Sequence, residues 1–110
     1  MEEKSLSLVE GEKLHEYKKQ LRIEMANLAA QRATMAKLAR DNALQALRML
    51  KNQLDQLRPQ TEFSKEINDQ YWKIDASVQI AFENYDKLDK RAREAEIQQI
   101  FWRDKAARGY

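Results

Sequence analysis

Residues 67–106 read INDQYWKIDASVQIAFENYDKLDKRAREAEIQQIFWRDKA. Stepping from Ile67 by alternating four and three residues meets Tyr71, Ile74, Val78, Ala81, Tyr85, Leu88, Ala92, Ala95, Gln99, Trp102 and Ala106. None of these positions is charged, in a chain where 35% of residues are. An uncharged residue at every 3.5 positions is the pattern of a helix that lays one narrow stripe along another helix. The flanks agree: Asp69/Lys73, Glu83/Lys87, Asp86/Lys90 and Asp89/Arg93 place acid before base at the four-residue spacing that favours an exposed helical pair.

Upstream lies the only proline, in Leu57-Arg58-Pro59-Gln60-Thr61. Proline has no N–H and disfavours helix in the residue before it, so a helix arriving from the N-terminal side is expected to stop near Leu57. A second can start at Thr61 or Ser64, whose hydroxyls can cap free N–H groups. Ser7 and Glu10 fit a capping box, which puts the first start near Leu8, with Gly11 weakening the first turns. The expected plan is one helical domain over 1–110, with helix 1 over 8–57, a turn at 58–60 and helix 2 over 61–107.

Helix 1 carries two apolar stripes. Leu14, Tyr17, Leu21, Met25, Leu28 and Met35 form one, and Ala36, Ala43, Leu47, Leu50, Leu54 and Leu57 form another, offset around the helix. The changeover falls in an alanine-rich stretch, which calls for a local change of supercoil or a wide apolar arc. Folding back at Pro59 sets Leu50 near Tyr71, Ala39 near Phe82, Ala36 near Tyr85 and Ala33 near Leu88. Small residues then receive large ones, as interdigitating layers require. The same fold-back lays a basic stretch (Arg32, Lys37, Arg40, Arg48, Lys51) along an acidic one containing Asp69, Asp75 and Glu83. The fold class is therefore all-α, a long antiparallel helical hairpin of coiled-coil type, completed to a four-helix bundle by dimerisation or by partner helices. A break at Asp41-Asn42, giving a compact three-helix bundle, is the alternative.

Composition narrows the chemistry. Two glycines and one proline in 110 residues are too few turn formers for a sheet fold of this size. Without cysteine there is neither a disulfide framework nor a thiolate metal site. Glu12 and His15 have the Glu-x-x-His spacing of carboxylate-bridged metal bundles, but the chain has a single histidine, and His15 lies beside the apolar stripe. It is read as facing solvent. No glycine-rich loop cradles phosphate, and no apolar run approaches a membrane span. No enzyme, metal or cofactor is expected, and the location is expected to be intracellular, in the cytoplasm.

The net charge of +2 is too balanced to imply nucleic acid on its own. Helix 2 holds more apolar surface than one neighbour can cover: Trp72, Phe82, Ile97, Ile100, Phe101 and Trp102 are the expected partner contacts. Leu6, Leu8 and Val9 could instead fold over the cluster at 97–102. The expected role is a non-catalytic interaction protein: an assembly factor, secretion-type chaperone, adaptor or structural subunit, acting as a homodimer or with a protein partner that presents amphipathic helices. The alternative is a nucleic-acid-associated dimer using Lys37, Arg40, Arg48 and Lys51.

Overall fold

The computed structural model describes residues 2–108, with side chains from Glu10 onward. Two long helices, α1 over Glu2–Leu57 and α2 over Lys65–Arg108, flank a short 3-10 turn at Arg58–Gln60. The molecule is an all-α helical hairpin, and no helix among the described residues is long and apolar enough to cross a membrane. α1 is already helical at Glu2, so Ser7 lies inside it and the expected start at Leu8 moves upstream. It is also unbroken through Asp41 and Asn42, which removes the three-helix alternative. The expected closure by Leu6, Leu8 and Val9 falls outside the described side chains.

Pro59 does not turn the chain. Its fixed φ suits the first turn of a helix, where its missing N–H costs little. Leu57 through Thr61 accordingly keep right-handed helical backbone angles. The Thr61 hydroxyl and N–H both donate to the Arg58 carbonyl, at 2.9 and 3.4 Å, closing the end of this segment. The reversal itself occupies Thr61 to Ser64, held by Phe63 N–H donating to the Gln60 carbonyl at 3.1 Å. Ser64 then starts α2: its hydroxyl accepts from Ile67 N–H at 3.4 Å, and its carbonyl accepts the first intrahelical bond from Asn68.

Burial follows the expected stripe on α2 without exception. All twelve positions from Ile67 to Ala106 are half-buried or buried, while Trp72, Ile80, Phe82, Ile97, Ile100 and Phe101 beside them are exposed. On α1 the two-stripe reading is corrected. One seam of strict four-three spacing runs through Arg22, Ala26, Ala29, Ala33, Ala36, Arg40, Ala43, Leu47, Leu50, Leu54 and Leu57, every one half-buried or buried. There is no phase shift: the alanines themselves are the inner stripe. Leu14, Tyr17, Leu21, Leu28 and Met35 stay exposed on a neighbouring face.

The chain divides into two compact units, Met35–Arg93, which holds the reversal, and Met1–Thr34 together with Glu94–Tyr110, called here the open-end unit. In the first, Arg40 on α1 reaches Asp89 on α2 at 3.8 Å, and Arg58 bonds to Tyr71. In the open-end unit, Met25, Ala29 and Arg32 share a cleft of about 100 Å³ with Ala95, Gln98 and Trp102. A fold-back at Pro59 would have set Phe82 near Ala39 and Leu88 near Ala33. Instead Arg40 meets Asp89, eight residues beyond the Ala81 that such a fold-back sets opposite it, and Arg32 shares its cleft with Ala95, six beyond Asp89. Each residue by which a reversal is delayed moves every facing pair by two, so moving the midpoint from Gln60–Thr61 to Ser64 accounts for a displacement of about seven residues. Seven residues is one heptad, which returns the same stripe to the inside. The α2 seam and the leucine half of the α1 seam were therefore legible while the pairs across them were not.

The inner layer is thin. Among the described residues only Ala29, Ala33, Leu54 and Ala92 are buried. Alanine at the seam lets helix backbones approach closely but removes little apolar area from water. In the open-end unit, carrying the register on from Ala29 beside Gln98 brings Arg108 level with Lys19. Every described side chain from Glu10 to Leu21 is exposed there.

Candidate partner-binding surface

Naming the seam positions of each helix a and d places the remaining side chains. On α1, Leu14, Leu21, Leu28, Met35 and Met49 fall at c, and Met25 and Arg32 at g, so they line one flank of the seam. On α2, Gln98 falls at g and Phe101 at c, on the corresponding flank. In an antiparallel pair g faces g, and the cleft in the open-end unit has that composition: Met25, Arg32 and Gln98 over Ala29, Ala95 and Trp102. Leu21 and Leu28 stand four and three residues from Met25, and Phe101 stands three from Gln98, so all extend the same side. Leu21, Leu28 and Phe101 are all more than a third exposed.

Phe101 is held in place. Its ring meets Trp102 edge to face at 5.3 Å between centroids, and the Lys105 ammonium sits over both rings, 4.7 Å from Phe101 and 5.6 Å from Trp102. Such cation contacts fix a charged group over an apolar floor.

The expected contact residues do not share one face. Trp102 is half-buried at a d position, lining the cleft. Ile97, Ile100 and Phe101 occupy f, b and c, spread over the outer surface of α2, and all are exposed. Trp72 and Phe82 lie at b and e, also exposed, and Trp72 packs edge to face on Tyr71 at 5.4 Å. Sequence reasoning missed Leu21, Leu28 and Met35 as surface groups because it assigned them to the seam. The signal that separates them was present: the four-three spacing of Leu57, Leu54, Leu50, Leu47 and Ala43 continues through Arg40 into Ala36, Ala33 and Ala29 without interruption.

The basic set is divided as well. Arg40 is half-buried at an a position, its guanidinium spanning Asp41 at 3.2 Å and Asp89 at 3.8 Å. Asp89 also takes Arg93 at 3.0 Å, so it bridges two cations. Lys37 is half-buried, whereas Arg48 and Lys51 are exposed. Two of the four expected acid-before-base pairs close, Asp86–Lys90 at 3.2 Å and Asp89–Arg93 at 3.0 Å, and Asp104–Arg108 adds another at 3.0 Å. Near the turn, the hydrogen bond to Tyr71, with Asp55 and Asp75 nearby, holds the Arg58 proton more firmly than usual. His15 is exposed on α1, and among the described residues no three His, Asp or Glu side chains gather into a metal-holding group.

The comparisons return no resemblance: no family model, curated protein or solved structure matches this chain.

Proposed function

We propose that this chain is a non-catalytic interaction protein, an adaptor or assembly factor that binds amphipathic helices of a protein partner along the apolar flank of its hairpin. One observation carries the reading. Fifteen large apolar side chains among the described residues are more than a third exposed, against four buried residues, of which three are alanines. A helical hairpin with so little interior and so much apolar exterior gains stability by association. Completion to a four-helix bundle, by a second copy or by partner helices, would supply it.

Salt and substitution test this together. A captured partner should weaken by no more than about ten-fold as salt rises several-fold and be lost in the Leu28→Ala, Phe101→Ala double variant. A nucleic-acid partner would behave oppositely, weakening by orders of magnitude with salt and depending on Arg48 and Lys51. Loss of the interaction in Lys37→Glu, Arg48→Glu with full retention in Leu28→Ala, Phe101→Ala would refute the proposal.

A further inference from the structure

The apolar flank of the open-end unit has a charge frame, and the frame selects what can cover it. Leu21, Met25 and Leu28 on α1 and Phe101 on α2 form the floor. On the same flank, Lys18 stands three residues before Leu21, Arg32 four after Leu28, and Lys105 lies over the Phe101 ring. Lys18 and Arg32 are exposed. The acid at a matching position is Glu94, four residues before Gln98, so three cations frame the floor against one carboxylate.

We infer that this flank seats an amphipathic helix of a different protein, one whose apolar anchors are bordered by Asp or Glu. The inference rests on the reading of the chain as a helix-binding protein and adds the charge of its partner. A second copy is disfavoured by symmetry. A two-fold contact brings the same patch against itself, which would set the cations Lys18, Arg32 and Lys105 of one copy against those of the other. An acidic border neutralises these cations, while leucine-sized anchors spaced i, i+3, i+4 and i+7 cover Leu21, Met25, Leu28 and Phe101. The cleft between Met25, Ala29 and Trp102 accepts one anchor side chain.

Trp102 lines that cleft and so reports on its occupancy. In the full chain carrying Trp72→Phe, a synthetic helical peptide of about 20 residues, on the order of 30 Å long, is titrated while Trp102 emission is read. It carries leucines at the anchor spacing and glutamates along both borders; a second peptide has lysines in place of the glutamates. The glutamate peptide should bind saturably at one per chain and shift Trp102 emission, and the lysine peptide should bind about ten-fold more weakly or worse. Lys18→Glu with Arg32→Glu should reverse that order, and Leu28→Asp should abolish the emission shift with helicity unchanged.

Equal binding of the two peptides, or an unchanged order in the charge-reversed variant, would overturn the acidic-partner assignment while leaving helix binding intact. Peptide binding, followed by a fluorescent label on the peptide, that leaves Trp102 unaffected would place the contact elsewhere. Binding of neither peptide would refute both readings. A protein that sediments as a dimer and becomes monomeric on Leu28→Asp would show that a second copy covers the flank.

Discussion

Arg40 on α1 reaches Asp89 on α2 at 3.8 Å, and the pair is the most direct mark of register in the unit Met35–Arg93. Both side chains are largely shielded from solvent, and Asp89 is shared with Arg93. An arginine at a seam position is tolerated because its stem covers apolar surface while its head finds a carboxylate.

Register is directly measurable. Spin labels at Ala43 and Tyr85 should lie closer together than labels at Ala36 and Tyr85, by about 10 Å along the helix axis, the rise of seven residues. The reverse order would mean that the reversal is at Pro59 after all.

The Arg40–Asp89 pair should couple weakly but measurably. A double-mutant cycle with Arg40→Ala and Asp89→Ala, read by urea unfolding, should give about 1 kcal/mol, since part of the pair still meets water. No coupling at all would show that the contact is incidental.

Overpacking separates inner from outer faces on α1. Ala33 is 1% exposed, so Ala33→Leu should destabilise by about 1–3 kcal/mol. Met35 is 71% exposed, and Met35→Ala should stay within about 0.5 kcal/mol. Comparable urea midpoints for the two variants would contradict the alanine seam.

At the reversal, Ser64→Ala removes the hydroxyl that caps Ile67 N–H and should cost about 1 kcal/mol. Pro59→Ala should leave the hairpin folded with the same label distances, because Thr61 to Ser64 make the turn. A change of register in Pro59→Ala would restore proline as the hinge.

Near the turn, Leu54 is 5% exposed and is the one large side chain that is buried among the described residues. Leu54→Ala should cost about 2–4 kcal/mol and lower the thermal midpoint, whereas Phe63→Ala at the tip, 84% exposed, should not. Equal losses would place Phe63 in a contact within the molecule.

The inner stripe of α2 was fully legible in its residues, because an uncharged position every 3.5 residues survives any choice of partner. That of α1 was legible only in its leucine half. Alanine carries little hydropathy, and the eye follows Leu14, Tyr17, Leu21 and Leu28 instead, although these side chains end up outside. The expected contacts at 97–102 crowd four large hydrophobes into six residues, which covers most of the circumference, and Ile97, Ile100, Phe101 and Trp102 accordingly project in different directions around the helix.

Local chemistry by itself determined the two helices, the Ser64 cap and the spacing of the inner face of α2, since these depend on neighbours within a few residues. Which alanine meets which ring was decided by tertiary structure. Pro59 is compatible with both a break and a helical first turn, and only the packing of the chain against itself selects between them. A delay of a few residues at the turn shifts the pairing by one whole heptad, a change to which a repeating seam is blind. The same packing decided that small side chains go inside and leave Leu21, Leu28 and Phe101 exposed.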